Sequence, residues 1–253
     1  MFNFRKINAA QYREPLSKAE ENQLLYTSIF MPIVFVALMW LVKIFEVLTG
    51  ISLATFGILP RTLTGIKGVL FSPLLHKDWN HLASNSVPFI ILGFLMLFTY
   101  RKVAFKAFLF IYFASGSMVW LIARNTNWIN GIPYPSYHIG ASNLVYGFAF
   151  FLFFSGVFRK DIQSIALSLF VVFLYGGIVW GLLPLDWHIS WEGHLMGGIS
   201  GAFIAFIYRN VDLPPKIELE DEDDDDEDDF TEQDYLRVVY ELKEENRNKE
   251  NES

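Results

Sequence analysis

A serine and a histidine each stand at the beginning of an apolar stretch, where a membrane-spanning segment has no need of a polar side chain. Ser142 lies in Gly140-Ala-Ser-Asn143, and His194 begins another stretch 52 residues later. A serine hydroxyl is a weak nucleophile until a base within hydrogen-bonding distance removes its proton, and histidine titrates close to neutral pH. If both stretches begin on the same side of a membrane, the pair can form a Ser–His dyad for acyl transfer.

The composition indicates an integral membrane protein. Of the 253 residues, 53% are hydrophobic and 25 are Phe, whereas a soluble domain has an apolar share of roughly 45–50%. Residues 212–253 hold 19 of the 27 acidic and 5 of the 20 basic residues, which leaves 15 basic and 8 acidic residues elsewhere. A basic body beside anionic lipid needs no nucleic-acid partner to explain it. The absence of cysteine excludes disulfides, thiolate nucleophiles and Cys metal sites.

Six segments are long and apolar enough, or nearly so, to cross a bilayer as helices of about 20 residues. We predict them at residues 29–48, 82–100, 104–123, 141–158, 162–183 and 193–208. The connection 49–80 is apolar but broken by glycine and proline, so its backbone must be interfacial or packed on protein. In the connection 125–139, Gly131, Pro133 and Pro135 block helix continuation.

Loop charges predict the orientation. The part of the chain before the acidic tail contains 15 Lys and Arg residues. If the N-terminus is cytoplasmic, ten of them fall on the cytoplasmic side of the membrane and five on the outer side. We therefore expect a cytoplasmic segment 1–27, a membrane domain 28–209 and an acidic, largely disordered cytoplasmic tail 210–253. The tail either only solubilises the protein or offers residues 235–242 as a short helix to a cytoplasmic partner.

This orientation gathers polar side chains at one end of the bundle. The second, fourth and sixth segments begin at the outer face, with His81 and Asn85, then Ser142, then His194. Polar side chains at membrane depth are costly and mark a functional site. His81 and Asn85 lie four apart on one helix face and can donate to an oxyanion, as can the N–H groups at the helix start of Ser142.

Three further features concern the arrangement of the dyad residues. Tyr146 is one helical turn after Ser142 and can pack against an imidazole. No Asp or Glu is obviously placed to orient His194, which favours a dyad over a triad. Small residues on the sixth segment let helix backbones approach closely, at Gly197, Gly198 and Gly201.

The ordered set of residues resembles the rhomboid family of intramembrane serine proteases over residues 57–208. The matching pieces are His76-x4-His81-x3-Asn85, Gly140-Ala-Ser142, Tyr146 and Gly193-His194-x2-Gly197-x3-Gly201. The resemblance implies an all-α membrane protein, a bundle of six transmembrane helices with a long interfacial loop between helices 1 and 2. It also implies an endopeptidase that cleaves transmembrane protein substrates near the outer surface, without cofactor or metal. We expect it in a bacterial cell (inner) membrane.

The resemblance also implies roles for individual residues. Ser142 becomes the nucleophile and His194 the base, Tyr146 supports His194, and the fifth helix gates lateral substrate entry. The oxyanion hole is formed by His81, Asn85 and the Ser142 N–H. Further matching positions that support the site are His76, Gly140, Gly197 and Gly201.

Two departures from the family pattern concern the loop and the nucleophile. A Trp-Arg pair frequent in the first loop is absent, and Asn143 follows the serine where glycine is usual. A larger side chain at position 143 can crowd the scissile carbonyl or add a polar contact.

Structural explanations compete with each chemical one. Ser142 can be a helix cap, His194 a polar packing contact, His81 and Asn85 helix–helix contacts, and His76 a residue that orders its loop. Ser200, in the Gly-x-Ser-Gly of residues 198–201, lies on a different helix face from His194 and is a packing residue. The remaining loop histidines, His138 and His188, are predicted to be solvated or interfacial.

Other functions explain less of the pattern. Haem between His81 and His194 leaves Ser142 unexplained, and no His-Glu-x-x-His helix for a zinc protease is present. Neither a Gly-x-Gly-Asp motif nor the repeats and broken helices typical of transporters are evident. The strongest alternative is a catalytically silent rhomboid-like protein that binds membrane clients.

Overall fold

The structure is a computed structural model that describes residues 16–185 and 190–214. His188 and nearly all of the acidic tail therefore lie outside the described residues, as do residues 1–15. The helices are α1 (Lys18–Thr49), α2 (Gly68–Phe71), α3 (Trp79–Thr99), α4 (Ala104–Ile122), α5 (Ser142–Arg159), α6 (Ile162–Tyr175) and α7 (Trp191–Ile207). Short 3-10 helices occupy Ala54–Phe56, Ser72–Leu74 and Gly176–Leu182.

The all-α membrane fold is confirmed. Five helices are long and apolar enough to cross a membrane: α1, α3, α4, α5 and α6 with its 3-10 extension. The protein is therefore an integral membrane protein. Helix α7 has 17 residues and falls below that length criterion, so a sixth span remains a prediction.

Helix α1 begins eleven residues before the predicted span. A capping box explains the early start: the Glu20 N–H donates to the Ser17 side chain, and the Ser17 N–H donates to the Glu20 carboxylate. This arrangement satisfies N–H groups that the first helical turn leaves unpaired. The Ser-x-x-Glu spacing was a readable signal, but apolar length alone does not detect a polar first turn.

Helix α5 lies at the centre of the bundle and packs closely against α7. A β-carbon at Gly197 would collide with the Asn143 carbonyl oxygen, and one at Gly201 with the Gly147 carbonyl oxygen. The two helices can hold this separation only because these positions lack side chains. The close packing brings the beginning of α7 to the beginning of α5.

The connection between α1 and α3 packs on α4. Val69 faces Gly116, where an added β-carbon would lie 3.1 Å from the Val69 Cγ1. The Tyr112 hydroxyl donates to the Leu70 carbonyl, and the Trp120 indole donates to the Thr62 carbonyl over 2.9 Å. Backbone of this irregular segment is thus held against protein, which is one of the two arrangements expected.

A β-hairpin interrupts the otherwise helical chain and was not predicted. Strands β1 (Thr126–Ile129) and β2 (Ile132–Pro135) pair antiparallel around Asn130 and Gly131, whose φ angles are 50° and 78°. Asn-Gly with two positive φ angles is typical of a two-residue hairpin turn. The prolines do block a helix here, but the Asn-Gly signal for strands was missed.

Helix α6 also differs from its predicted form. The α-helix ends at Tyr175, and residues Gly176–Leu182 continue as a 3-10 helix. Adjacent Gly176 and Gly177 lower the helix propensity at the change. The altered path turns the carbonyl groups of this segment toward α5 and α7.

Candidate active site

Ser142 and His194 lie within hydrogen-bonding distance of each other. The Nε2 of His194 is 2.9 Å from the Oγ of Ser142. Ser142 is the first residue of α5, and His194 is in the first turn of α7. Two residues 52 apart in the chain therefore meet because both helices begin at the same end of the bundle, which we call the site end.

A backbone carbonyl orients the His194 ring. The Nδ1 atom lies 2.9 Å from the carbonyl oxygen of Gly181 in the 3-10 segment. A carbonyl oxygen can only accept, so Nδ1 carries the proton and the Nε2 lone pair faces the serine hydroxyl. This tautomer is the one a general base requires, and it is obtained without an acidic side chain.

Tyr146 covers the face of the same ring. The two rings are stacked, with centroids 4.1 Å apart and planes 8° apart. The Tyr146 hydroxyl donates to the Ile178 carbonyl over 2.8 Å. Tyr146 and His194 are thus both hydrogen-bonded to the 3-10 segment.

The opposite wall of the site comes from α3. His81 and Asn85 share one face, and the Asn85 amide donates to the His81 carbonyl over 3.0 Å. The His81 ring lies close to Gly140, where an added β-carbon would be 2.7 Å from the ring Nε2. Gly140 has a φ of +115°, so both its space and its backbone conformation favour glycine.

His76 connects this wall to the backbone before Ser142. It is buried, with 2% of its surface exposed, and its Nε2 accepts from the Ala141 N–H over 3.4 Å. Burial, together with the nearby His81, lowers the pKa of His76 to about 3. The ring is therefore neutral near pH 7 and able to accept this hydrogen bond.

Asn143 points away from the reacting atoms. Its side chain is buried, and its amide donates to the Ser115 hydroxyl of α4 over 2.8 Å. The residue does not line the cavity beside Ser142. The Asn143 side chain thus joins α5 to α4 and does not crowd Ser142.

A cavity of about 1240 Å³ opens beside the dyad. Ser142, His194, Tyr146, His81 and Asn85 all line it. The hairpin and the 3-10 segment contribute further parts of the wall, including Thr126, Asn127, Trp128, Gly177 and Ile178. This volume is sufficient for several side chains of an unwound peptide.

His138 was predicted to be solvated or interfacial, and the first of these alternatives is wrong. Only 6% of its surface is exposed, its Nδ1 is 2.6 Å from the Ser190 hydroxyl, and its Nε2 is 2.7 Å from the Arg124 carbonyl. A loop histidine offers no periodicity from which the burial of its side chain can be predicted.

Two other expectations concern packing and metal binding. The Ser200 hydroxyl donates to the Met196 carbonyl of its own helix over 2.7 Å and is buried there, in keeping with a packing residue. Within residues 16–185 and 190–214, no group of three or more His, Asp or Glu side chains is arranged to hold a metal ion.

Fold and site together define a helical integral membrane protein with a Ser–His pair inside the bundle. A family model described as the rhomboid domain matches residues 64–211, and the chain belongs to the rhomboid family, whose members are generally intramembrane serine proteases. The chain is 38% identical over 176 residues to the protein Rv1337 of Mycobacterium tuberculosis, covering 68% of this chain and 72% of the relative. It is 33% identical over 180 residues to ML1171 of Mycobacterium leprae, covering 68% of each. Neither name assigns an activity.

Proposed function

We propose that the protein is an intramembrane serine endopeptidase that cleaves transmembrane protein substrates near the outer membrane surface. Ser142 is the nucleophile and His194 the general base. The observation that carries this proposal is the 2.9 Å approach of the His194 Nε2 to the Ser142 Oγ, with the Nδ1 proton held by the Gly181 carbonyl. Membership of the rhomboid family supports the same chemistry.

The reaction proceeds through an acyl-enzyme. The Ser142 Oγ attacks the carbonyl carbon of the scissile peptide bond, and its proton passes to the His194 Nε2. The imidazolium then donates this proton to the leaving nitrogen as the C–N bond breaks. Water attacks the resulting ester, His194 takes a proton from that water, and the Ser142 hydroxyl is regenerated with release of a carboxylic acid.

The oxyanion of each tetrahedral intermediate is stabilised by His81, Asn85 and the Ser142 N–H. His81 and Asn85 line the same cavity as Ser142. The Ser142 N–H belongs to the unpaired group at the start of α5, where the helix dipole favours negative charge. Removal of one donor from such a site costs about 100- to 1,000-fold in kcat.

A second Ser–His pair lines the same cavity and must be distinguished from the first. His138 contacts Ser190, but the Ser190 hydroxyl also accepts from the Gly193 N–H over 3.3 Å as the N-cap of α7. The Ser190 oxygen thus accepts a hydrogen bond from the first turn of α7. Each of the two histidines is held through its other ring nitrogen, but only His194 of the two is also stacked on an aromatic ring, that of Tyr146. Ser142 is therefore the better nucleophile.

The test is cleavage of a model transmembrane substrate in liposomes. We expect the wild type to cleave, Ser142→Ala and His194→Ala to lose cleavage, and Ser200→Ala to retain it. A fluorophosphonate probe should label wild type and, more slowly, Ser190→Ala, but not Ser142→Ala. Label on a residue other than Ser142, or equal cleavage by Ser142→Ala, contradicts the mechanism. Absence of cleavage and labelling in the wild type across several substrates favours the catalytically silent alternative that binds membrane clients.

We further propose that the protein lies in a bacterial inner membrane with both termini in the cytoplasm. The acidic tail is then the candidate site for a cytoplasmic partner. The Mycobacterium relatives and the loop charges support this location. Reporter fusions at either terminus should be active only as cytoplasmic reporters. Active periplasmic reporters at both termini would reverse the proposed orientation.

A further inference from the structure

His138 is a buried titratable residue for which the proposed reaction has no use. Three parts of the chain meet at it. Its backbone pairs with Ile58, with N···O distances of 2.8 and 3.0 Å. Its ring nitrogens contact the Ser190 hydroxyl at the start of α7 and the Arg124 carbonyl just after α4.

The partners determine the protons of this ring. The Arg124 carbonyl only accepts, so the His138 Nε2 carries the proton and its Nδ1 is an acceptor. The Ser190 hydroxyl therefore donates to Nδ1 while its oxygen accepts the Gly193 N–H. Burial lowers the pKa of His138, in keeping with a neutral ring.

The two Ser–His pairs have the same spacing in the opposite order. Ser142 and His194 are 52 residues apart, and so are His138 and Ser190. His138 precedes Ser142 by four residues, and Ser190 precedes His194 by four. The second hydrogen bond thus joins the two segments just before they enter α5 and α7, next to the atoms that must meet.

A nearby ion pair links the same elements. The Arg124 guanidinium Nε lies 3.5 Å from the Glu192 carboxylate in the first turn of α7. Arg124 thereby contacts His138 through its carbonyl and α7 through its side chain. The beginning of α7 is therefore held by the ion pair to Arg124, just after α4, and by the close packing of α7 on α5 at Gly197 and Gly201.

We propose that His138 is a positioning residue, which acts through Ser190 to hold the start of α7 where the His194 Nε2 meets the Ser142 Oγ. The inference rests on the proposed function for its effect on rate. Loss of the link lets the first turn of α7 shift relative to Ser142. A displacement of about 1 Å at a reacting pair can lower the rate by about 100-fold.

Kinetics of four variants test this role. We expect His138→Ala and Ser190→Ala each to lower kcat by about 10- to 100-fold, with KM changed much less. Their double variant should be no worse than the poorer single variant, because both remove one link. Ser190→Thr, which keeps a hydroxyl and a cap, should restore most of the rate. Ser200→Ala is the control, since it removes a buried α7 hydroxyl that bonds only within its own helix.

Amide hydrogen exchange in the first turn of α7 provides a readout independent of activity. Exchange should be faster in His138→Ala than in Ser200→Ala, and normal in Ser190→Thr. Wild-type kcat and exchange in His138→Ala, or additive effects in the double variant, overturn the proposal. If His138→Ala does not fold, Ser190→Ala decides by the same criteria, and His138→Asn, whose amide oxygen can accept from Ser190, should keep kcat and exchange nearer to wild type than Ser190→Ala does. A wild type that neither cleaves nor labels refutes the proposed function instead, and exchange still decides the link.

Discussion

At the scale of single residues, the His194 ring is oriented without a carboxylate. The Gly181 carbonyl performs the orienting part that an acidic residue has in a Ser-His-Asp triad. Tyr146 restricts the remaining rotation of the His194 ring by stacking. The charge that develops on the imidazolium is thus met by a dipole and an aromatic face.

The two contributions of Tyr146 can be separated. Tyr146→Phe retains the ring that stacks on His194 but loses the hydroxyl bond to the Ile178 carbonyl. We expect kcat to fall by a few-fold for Tyr146→Phe and by about 100-fold for Tyr146→Ala, because only the latter frees the imidazole. Equal kcat values for the two variants in the liposome assay would contradict a role for the stacked ring.

Asn143 makes a stabilising contact rather than a catalytic one. Asn143→Gly leaves the buried Ser115 hydroxyl without its donor and puts glycine into a helix, so we expect unfolding to become easier by about 1–2 kcal/mol. Cleavage under conditions where the variant is folded should stay within a few-fold of wild type. Thermal unfolding in detergent and cleavage kinetics measure the two effects; a large rise in kcat would indicate that Asn143 does obstruct the site.

At the scale of elements, the 3-10 segment Gly176–Leu182 orients the His194 ring. It supplies the acceptors for both His194 and Tyr146, while most of α6 with its extension is exposed on the outside of the bundle. Any movement of this segment away from α5 removes both hydrogen bonds together. The state of the dyad is therefore coupled to the position of the fifth span.

Two glycines of this segment provide a matched pair of variants. A β-carbon at Gly181 would collide with the Tyr146 hydroxyl and lie 3.1 Å from the His194 Nδ1, whereas one at Gly177 meets no atom within 4 Å. We expect Gly181→Ala to lose at least about 10-fold in kcat and Gly177→Ala to remain near wild type. Fluorophosphonate labelling of Ser142 should likewise decrease in Gly181→Ala but not in Gly177→Ala. Equal labelling of the two variants would argue against a dependence of the Ser142–His194 pair on the 3-10 segment.

A second matched pair tests the packing of α7 on α5. An added β-carbon at Gly201 meets the Gly147 backbone, which cannot yield, whereas one at Gly198 meets the Phe150 ring at 3.2 Å, which can. Gly201→Ala should therefore reduce cleavage and thermal stability much more than Gly198→Ala. Membrane insertion of both variants, measured by fractionation, should be unchanged, since neither alters the apolar length of the helix.

At the scale of the whole molecule, the loops contribute as much to the site end as the spans do. The buried imidazole of His76 in the first connection contacts the Ala141 backbone next to Ser142, and that of His138 in the connection before α5 contacts the Ser190 hydroxyl at the start of α7. These connections pack on α4 and on each other, through Ile58 and His138. The cavity of the site is lined by residues from α3, from the connection before α5, and from α5, α6 with its extension and α7.

Burial of neutral His76 makes the folded protein sensitive to acid. The unfolded chain binds a proton at this residue near pH 6.5, whereas the folded protein does so only near the lowered pKa of about 3. Stability from this residue is therefore constant above about pH 6.5 and falls as the pH is lowered toward 3. The melting temperature of His76→Gln should decrease less between pH 7 and 5 than that of wild type; parallel curves would contradict this assignment.

The apolar segments and the polar residues at their beginnings were predictable because length, hydropathy and spacing are properties of the chain itself. Helices α3, α4 and α5 begin and end within three residues of the predicted spans. The Asn-Gly hairpin and the capping box of α1 carried local signals that apolar length alone does not detect. Their physical basis was thus present in the sequence, although the predictions passed over it.

Only the tertiary structure decided how distant residues meet. The separation of Ser142 from His194, the use of the Gly181 carbonyl and the direction of Asn143 each depend on how helices far apart in sequence pack. Burial of His138 depends on three loops that converge on it. Such contacts join residues far apart in the sequence, and several use backbone carbonyls or loops, which have no side-chain pattern. The amino-acid sequence alone therefore specified the residue types of the site but not its hydrogen bonds.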